Sequence, residues 1–332
     1  MTDSHRVDRV PAGSDAASTQ DDVSARARAE VRAGLSRVQK EIPPTYFYDR
    51  RGSELFEEIT KLPEYYLTRA ERALLQRWVP QWIPELCPRT VVELGPGAGE
   101  KTRIILDAVA SRVGRAVYVP VDVSAEFLAD MAARLAAEYD DITVRPAVAD
   151  MRSALPLPEP LPRPWLVAFL GSTIGNFDTP AATRLLARIR ERMCPGDHLL
   201  MGVDLRKDPA VLHAAYNDAR GVTAEFNRNA LRVLNAMLGA DFAPDRFVHR
   251  AVYVEPAHRI EMHLVSETPQ RVTIPDIGTI TLRAGESIRT EISCKYDEAE
   301  VRRLASAAGL QLARWTPDDA GMFALALMRR AP

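Results

Sequence analysis

The sequence has few features that would tie it to a membrane or to an oxidising compartment. Its 332 residues include three cysteines, Cys87, Cys194 and Cys294, which are far apart and lack metal-ligand spacing. Such scattered thiols favour a reducing compartment and predict neither a disulfide framework nor a zinc site. Long apolar runs are also missing, and residues 1–20 have no apolar core. We therefore expect no membrane segment and no secretion signal.

Charge of one sign is not in excess either. The formal net charge is -2, so no broad basic surface for nucleic acid is indicated. A composition of 46% hydrophobic and 27% charged residues is typical of a soluble globular protein with one large or two modest domains. The six histidines form no metal-binding pattern. We expect a cytoplasmic, monomeric enzyme that binds no metal, nucleic acid or membrane.

The most informative feature that is present is the run 91–102, in which an apolar strand ends in an acid and alternate glycines follow. Gly95, Gly97 and Gly99 can adopt positive φ angles and let a ligand approach the backbone closely. A helix predicted over 102–110 would direct unpaired N–H groups toward that ligand. The pattern predicts a turn that binds a nucleoside-like cofactor, and a plain strand-to-helix turn is the alternative.

The acids near this turn indicate which cofactor it binds. Glu100, at the start of the helix, would repel a pyrophosphate and so argues against a dinucleotide. Asp122 ends a second strand, where it could bind ribose hydroxyls, and Asp150 follows a third, near the expected adenine amine. Together with Glu93, these carboxylates suit a ligand with hydroxyls, an amine and a positive charge. They favour S-adenosylmethionine over a phosphate-bearing nucleotide.

Strand and helix patterns alternate from residue 90 onward. The strand-like runs are 90–94, 116–122, 142–148, 165–170 and 197–204. This alternation predicts an α/β fold with a parallel, doubly wound sheet. The stretch 156–164 has proline at every second position, so we expect a stiff surface connection rather than a helix or a central strand.

The pattern changes after Asp204. Helices are indicated over 208–238, and short strand-like runs typical of an antiparallel sheet follow at 247–255, 259–266, 271–274 and 286–293. A helix over 298–308 and strands over 312–316 and 322–328 could add an antiparallel edge to the parallel sheet. We infer that 205–294 is an insertion against which the N-terminal segment packs.

The N-terminal segment is predicted to be largely helical. An amphipathic helix over 23–40 stops before two prolines, and a short helix follows over 53–61. Thr68 and Glu71 have the spacing of a capping box, which would begin a helix that extends to Trp78.

Several longer motifs occur in order along the chain. They are Tyr46-Phe47-Tyr48-Asp49 with Arg51-Gly52-Ser53, Leu62-Pro63-Glu64-Tyr65-Tyr66-Leu67-Thr68-Arg69, Glu93-Leu94-Gly95 with Glu100-Lys101-Thr102-Arg103, Gly171-Ser172-Thr173-Ile174-Gly175-Asn176-Phe177, Phe226-Asn227-Arg228-Asn229 and Thr290-Glu291-Ile292-Ser293-Cys294-Lys295-Tyr296. Together they resemble the histidine-specific N-alpha-methyltransferases of ergothioneine biosynthesis. The resemblance extends from about residue 20 to the C-terminus and is far more specific than a single glycine loop.

The resemblance implies a Rossmann-like doubly wound sheet of the class I methyltransferase type, with a second, smaller α+β substrate domain. We expect a disordered tail over 1–20, a substrate domain from 21–69 and 205–294, and a methyltransferase domain from 70–204 and 295–332. The implied reaction is the S-adenosylmethionine-dependent trimethylation of the α-amino group of L-histidine through its mono- and dimethylated forms. Its product, hercynine, is the first intermediate of ergothioneine biosynthesis.

The resemblance also implies substrate-binding residues, which are Tyr65, Asn176, Tyr216, Met262, Glu291 and Ser293. Asn176 and Tyr216 correspond to the pair that fixes the α-carboxylate, and such neutral donors bring no cation close to the sulfonium. Glu291 and Ser293, two residues apart on one strand, correspond to the pair that grips the imidazole. A carboxylate and a hydroxyl match the two nitrogens of an imidazole.

The residues implied for S-adenosylmethionine are Tyr48, Gly95, Lys101, Asp122 and Asp150. Two positions depart from the family pattern. Pro96 removes a backbone donor from the glycine turn, and Met151 follows Asp150 where an aromatic residue is common. A thioether contact at Met151 would then replace adenine stacking.

Each of these residues, taken alone, also permits a simpler interpretation. Asn176 could cap a helix, and Tyr216 could be ordinary packing. Glu291 and Ser293 could form the solvent face of a strand, and Lys101 could be solvated.

The implied chemistry is direct displacement, in which a neutral α-amine attacks the methyl group in line with the departing sulfur. Losing the amine proton at neutral pH costs about 1 to 3 kcal/mol. Holding two reactants in attack geometry can contribute about 7 to 11 kcal/mol, so positioning should dominate. Our hypothesis is that Tyr48 orients the amine or relays its proton.

Three other functions remain possible from the residues. A methyltransferase for another aromatic amino acid would keep the donor site and change the Glu291 and Ser293 pair. A dehydrogenase would bind NAD, which Glu100 disfavours. A non-catalytic module that binds S-adenosylmethionine would leave amines unmodified.

Overall fold

The computed structural model describes residues 16–152 and 155–332, which divide into two compact units. The first unit contains the described residues up to Phe56, Ala219–Val252 and Glu261–Glu291. The second contains Glu57–Asp218, Tyr253–Ile260 and Ile292–Pro332. Of the tail expected over 1–20, residues 1–15 lie outside the described residues, and residues 16–20 begin the first helix.

The helices, in chain order, are α1 (Ala16–Leu35), α2 (Arg50–Thr60), α3 (Leu67–Leu86), α4 (Glu100–Arg112), α5 (Ala125–Glu138), α6 (Thr179–Arg192), α7 (Pro209–Tyr216), α8 (Val222–Leu238) and α9 (Glu298–Ala307). The strands are β1 (Lys40–Glu41), β2 (Thr90–Leu94), β3 (Ala116–Asp122), β4 (Ile142–Val144), β5 (Ala147–Val148), β6 (Trp165–Phe169), β7 (His198–Asp204), β8 (Phe247–Val254), β9 (Arg259–Ser266), β10 (Gln270–Ile274), β11 (Gly278–Leu282), β12 (Ser287–Cys294), β13 (Leu310–Pro317) and β14 (Phe323–Arg330). Within the two described ranges, no helix is both long enough and apolar enough to cross a membrane.

The second unit is built on a mixed sheet with the order β13-β14-β7-β6-β2-β3-β4, and β5 also pairs with β3. Strands β7, β6, β2, β3 and β4 are parallel, whereas β14 is antiparallel to β7 and to β13. This arrangement confirms the doubly wound α/β fold with an antiparallel edge. The chain proceeds outward from β2 to β4 and then returns to β6, so the strand order reverses between β2 and β6. Ligands of such sheets bind at the carboxyl ends of the strands at this reversal.

Burial explains why this sheet forms where the apolar runs predict it. All five residues of β2 and all five of β6 are buried, as expected for central parallel strands that are covered on both faces. The proline-rich stretch 156–164 contains no helix or strand, as predicted. It is not purely a surface connection, however, because Leu161 packs into the core under this sheet.

The first unit contains a sheet with the order β1-β12-β9-β8 and a separate antiparallel pair, β10 and β11. Its core is formed by apolar residues of α1, α8 and these strands, including Val31, Leu234, Leu264 and Ile288. Strand β1 pairs with β12 in parallel, which the antiparallel pattern of the sequence did not predict. Strand β12 supplies Ser287–Glu291 to this unit and its last three residues to the second.

The capping box predicted at Thr68 and Glu71 is wrong. Helix α3 begins at Leu67 with Tyr66 as its N-cap, and no side chain caps it there. Glu71 is instead fully buried and accepts hydrogen bonds from the backbone N–H of Gly171. The hydrogen bonds from Gly171 therefore replace the local capping bond that was predicted for Glu71. Helix α3 also continues beyond Trp78 to Leu86, past Pro80 and Pro84.

The end of α1 provides a test of packing in the first unit. Helix preference favours alanine over glycine by about 1 kcal/mol, yet a Cβ atom on Gly34 would overlap the backbone oxygen of Glu41 in β1. We expect Gly34→Ala to destabilise the protein by about 1–3 kcal/mol, because overpacking outweighs the helix preference. Thermal and urea unfolding would measure the change.

The control for this substitution is Ala33→Gly at the exposed neighbouring position of α1. It should cost about 1 kcal/mol, as glycine does in an open helix. A Gly34→Ala protein more stable than the parent would show that α1 and β1 separate readily.

Candidate active site

The glycine turn has the backbone that its sequence predicts. Gly95, Gly97 and Gly99 have φ angles of 65°, 54° and 78°, which are values that glycine adopts easily. A Cβ atom on Gly97 would meet nothing within 4 Å, so the turn is open on that side. At Gly95 a Cβ atom would lie 3.4 Å from Cε of Met151. The Met151 thioether therefore lies against the first glycine of the turn.

Glu93, the acid that precedes this turn, is buried inside the second unit. One of its oxygens, Oε2, accepts hydrogen bonds of 2.7 Å from Thr102 of α4 and 2.7 Å from Tyr118 of β3. Burial raises the pKa of the Glu93 carboxyl to about 7, although these two hydrogen bonds act in the opposite direction. Near neutral pH the carboxyl therefore exists in both protonation states.

Asp122 and Asp150 follow neighbouring strands, as predicted. The backbone N–H of Ala149 donates to the Asp122 backbone oxygen at 2.9 Å, which joins the ends of the two strands. The Asp122 carboxylate accepts from the Ser124 N–H at 3.0 Å, and burial raises the pKa of this carboxyl. Asp150 is ion-paired at 2.9 Å with Arg152, a partner that was not predicted from the sequence.

Lys101 is held at the end of β6 by a buried carboxylate. Its ammonium group pairs with Glu71 of α3, and a Cβ atom on Gly171 would lie 3.3 Å from Nζ. Glu71 also accepts from the Gly171 N–H at 2.8 and 2.9 Å. A side chain on Gly202 of β7 would overlap this carboxylate. Lys101 is therefore not a freely solvated helix residue, since its side chain is 22% exposed and ion-paired.

Four of the predicted substrate-binding residues lie in the second unit, where three of them are linked directly. The Tyr216 hydroxyl and Ser293 Oγ are hydrogen-bonded at 2.8 Å, and the Tyr65 ring packs edge-on against Tyr216 with centroids 6.4 Å apart. Tyr216 is buried, and its hydroxyl is engaged.

Asn176, the fourth of these residues, ends a 3-10 turn over Thr173–Asn176. A Cβ atom on the preceding Gly175 would lie 2.9 Å from the backbone oxygen of Cys294 and 3.5 Å from Ser293 Oγ. The close approach of this turn to the Cys294 backbone therefore requires glycine. Asn176 is not the cap of the following helix, because Asp178 occupies that position and accepts from the Ala181 N–H.

Lys295 and Asp204 complete this cluster, and neither was among the site residues predicted from the sequence. The Lys295 ammonium donates to Tyr216 at 3.0 Å and to Ser293 at 2.8 Å, and it pairs with Asp204 at 2.7 Å. Both side chains of the ion pair are fully buried. The sequence features that could have identified them as site residues are a lysine two residues after Ser293 and an acid at the end of a strand.

Asp204 has two further partners. Tyr66 donates to its two oxygens at 2.8 and 3.0 Å, and Lys207 pairs with it from three residues along the chain. Burial, followed by the charge of Asp204, raises the pKa of the Tyr66 hydroxyl well above its usual range, so this hydroxyl stays a donor. Burial lowers the pKa of Lys207 to about 8, against the opposing effect of Asp204.

Tyr48 belongs to the first unit, within an aromatic cluster. Its ring packs edge-on against Phe56 and Phe226, with centroids 5.9 and 5.7 Å away, and it is 36% exposed. Asn229 of α8 fixes the preceding turn, because its amide donates to the Phe47 backbone oxygen and to the Asp49 carboxylate at 3.2 and 2.8 Å. These hydrogen bonds join the motif at 46–49 to the motif at 226–229, which lie far apart in the sequence.

Glu291 and Met262 are also residues of the first unit. Glu291 is partly exposed and follows Thr290, whose hydroxyl is buried and donates to Asn227 at 2.6 Å. Successive side chains of a strand point to opposite faces, so Glu291 lies on the face away from Thr290 and shares its side of β12 with Ser293. Met262 is buried, and its backbone oxygen accepts from Thr290 at 3.2 Å. Among the residues that the structure describes, no group of three or more His, Cys, Asp or Glu could hold a metal ion.

Comparison with known proteins identifies the family. A family model described as histidine-specific, S-adenosylmethionine-dependent methyltransferase matches residues 27–330. The chain belongs to this family. Membership confirms the predicted class of enzyme, its methyl donor and its histidine specificity. The individual site residues stay predictions.

Three named relatives support the same family assignment. The chain is 43% identical to histidine N-alpha-methyltransferase of Mycobacterium tuberculosis over 303 residues, which are 90% of this chain and 94% of that protein. It is 42% identical to the enzyme of the same name from Mycolicibacterium smegmatis over 305 residues, with 91% and 94% covered. It is 34% identical to ergothioneine biosynthesis protein 1 of Neurospora crassa over 302 residues, which are 87% of this chain and 33% of that protein.

Buried Glu93 leads to a prediction about pH and stability. Its folded pKa of about 7 lies above the ordinary value of 4.5, so the folded state binds the proton more tightly than the unfolded state does. The free energy of unfolding of the ligand-free protein should therefore fall as pH rises from 4.5 to 7, by about 3 kcal/mol relative to Glu93→Gln. Urea unfolding of both proteins at pH 5 and pH 8 would measure this difference.

The glutamine carbonyl can still accept from Thr102 and Tyr118, because one oxygen of Glu93 accepts both bonds. Exposed Glu191→Gln is the control and should follow the parent at both pH values. Parallel pH profiles for the parent and Glu93→Gln would contradict the elevated pKa.

Proposed function

We propose that this chain transfers three methyl groups in succession from S-adenosylmethionine to the α-amino group of L-histidine. The product is hercynine, and the reaction is the first step of ergothioneine biosynthesis. The observation that carries this proposal is the family match over 27–330, which includes both the glycine turn and the polar cluster around Tyr216 and Ser293. Monomethyl- and dimethylhistidine are the intermediate substrates.

The residues around the glycine turn fit the donor. The turn is open at Gly97, and the first turn of α4 is preceded by a glycine that has no capping side chain. Asp122 offers a carboxylate for ribose hydroxyls, Asp150 and Met151 would flank the adenine, and Lys101 would meet the donor's carboxylate. When bound, S-adenosylmethionine supplies an electrophilic methyl group on a positively charged sulfur.

On the substrate side, we propose that Asn176 and Tyr216 hold the α-carboxylate and that Tyr65 makes a further contact with histidine. Support for these roles comes from the Tyr65–Tyr216 ring contact and from the turn that ends at Asn176 beside Ser293. We propose that Ser293 and Glu291, on one face of β12, bind the imidazole and that Met262 lines its pocket. We also propose that 21–69 and 205–294 form the substrate domain, which contains all six of these residues except Asn176.

The chain itself contributes mainly by positioning the amine. Deprotonating it costs about 1 to 3 kcal/mol, which is less than the about 7 to 11 kcal/mol that fixed attack geometry can contribute. No strong base is then required. Tyr48, which is 36% exposed, suits a group that orients the amine or passes its proton to solvent. We also propose that the protein works as a cytoplasmic monomer without nucleic acid or membrane partners.

Mass spectrometry of a reaction containing the purified chain, S-adenosylmethionine and all free amino acids tests the proposed function. Histidine alone should gain up to three methyl groups. Glu291→Ala should lose most of this activity, because the imidazole loses a charge-assisted hydrogen bond, whereas exposed Glu267→Ala should not. Methylation of a different amino acid would overturn the proposed substrate, and donor binding without methylation would indicate a non-catalytic module.

The role of Tyr48 has its own test. Tyr48→Phe keeps the ring that packs on Phe56 and Phe226 and removes only the hydroxyl. We expect the methylation rate to fall by about 10- to 100-fold and its pH profile to shift, as for loss of a group that orients or relays a proton. Tyr46→Phe, which removes the hydroxyl that donates to Glu30, is the control and should keep the parent rate. An unchanged rate and profile in Tyr48→Phe would exclude this role.

A further inference from the structure

Lys295 is a buried cation whose hydrogen-bonding capacity is fully used. An ammonium group has three hydrogens, and the Lys295 ammonium lies within hydrogen-bond distance of three acceptors. They are Asp204 Oδ2 at 2.7 Å, Ser293 Oγ at 2.8 Å and the Tyr216 hydroxyl oxygen at 3.0 Å. Its side chain has no exposed surface. Lys295 therefore has no hydrogen left for a ligand, and any effect on substrate must pass through Tyr216 or Ser293.

The hydrogen bonds of the Tyr216 and Ser293 hydroxyls limit the directions in which their hydrogens can point. Tyr216 and Ser293 each accept a hydrogen from Lys295, and one further hydrogen lies between them at 2.8 Å. The ammonium accepts no hydrogen bond, so each hydroxyl hydrogen points either to the other hydroxyl or away from Lys295. Whichever of Tyr216 and Ser293 donates within the pair, the other directs its hydrogen away from Lys295.

A bound carboxylate selects one of these arrangements, since an ionised carboxylate accepts hydrogen bonds and donates none. If Tyr216 meets the carboxylate, Ser293 must donate to Tyr216, and Tyr216 must donate outward. The chain of bonds then runs from Lys295 through Ser293 and Tyr216 to the ligand. Such a chain that begins at a cation is stronger than isolated neutral bonds. In this arrangement Ser293 offers the imidazole a lone pair.

We propose that Lys295 is a positioning residue that makes the enzyme selective for the α-carboxylate of its substrate, because it donates to both hydroxyls and so strengthens the hydrogen bond that Tyr216 donates to that carboxylate. This inference rests on the proposed function. Asp204 balances the Lys295 charge and is itself held by Lys207 and Tyr66. Lys295 thus affects the ligand only through neutral hydroxyls, and its own charge is paired with Asp204. The cluster can attract a carboxylate without exposing an ammonium group to the positively charged sulfur of the donor.

The test compares Lys295→Met with Lys207→Met, using L-histidine and L-histidinamide as substrates. Both substitutions remove one buried ammonium that pairs with Asp204, but only Lys295 donates to Tyr216 and Ser293. For Lys295→Met, kcat/KM for L-histidine should fall by about 10- to 100-fold, mainly through KM. For L-histidinamide it should fall by about threefold or less, because the amide lacks the anionic carboxylate. Lys207→Met should keep the parent ratio between the two substrates.

Thermal unfolding and the Kd for S-adenosylmethionine would be measured for every variant. If Lys295→Met does not fold, a variant that also carries Asp204→Asn and Lys207→Met removes all three charges of the cluster. It should show the same loss of selectivity.

Two results would overturn the inference, and they differ. If the parent methylates L-histidine but Lys295→Met and Lys207→Met show the same substrate ratio, the positioning role alone is wrong. If the parent neither binds nor methylates L-histidine, the proposed function fails, and the inference fails with it.

Discussion

Buried ionisable side chains at the carboxyl ends of the parallel strands constrain the second unit more than any other feature. A buried charge is tolerated only when it is paired and hydrogen-bonded. Glu71 meets this requirement through Lys101 and the Gly171 N–H, and Asp204 meets it through Lys295, Lys207 and Tyr66. Each carboxylate is contributed by a different element and meets its partners at the same edge of the sheet. The elements that carry the candidate site are therefore held by interactions that break if one member is removed.

Two ionisable side chains of this unit lie behind neutral hydroxyl groups. Glu93 is covered by Thr102 and Tyr118, and Lys295 is covered by Tyr216 and Ser293. A methyltransferase of this family handles a positively charged donor and an amino acid substrate, so an unpaired ammonium beside them would be repelled by the donor. Hydroxyls that are polarised from behind can bind the anionic end of the substrate and avoid that repulsion.

Much of the fold could be predicted from local pattern. The apolar runs of β2, β3, β6 and β7 and the glycine turn are strong signals, because buried strands and positive φ angles restrict which residues can occur. The short strands β1 and β11 were missed. Two residues make no periodic pattern in β1, and β11 is mostly exposed, so its sequence carries little hydrophobic signal.

The sequence by itself determined the sheet, the glycine turn and, through several motifs in order, the family. Tertiary structure decided the partners of the charged residues. Glu71 has the spacing of a helix cap, yet it binds a backbone N–H 100 residues away, and Lys295 looks like an ordinary lysine near a strand end. Local spacing describes neighbours along the chain, whereas the free energy of a buried charge depends on groups brought close by folding. The roles of such residues can be read only once those groups are in contact.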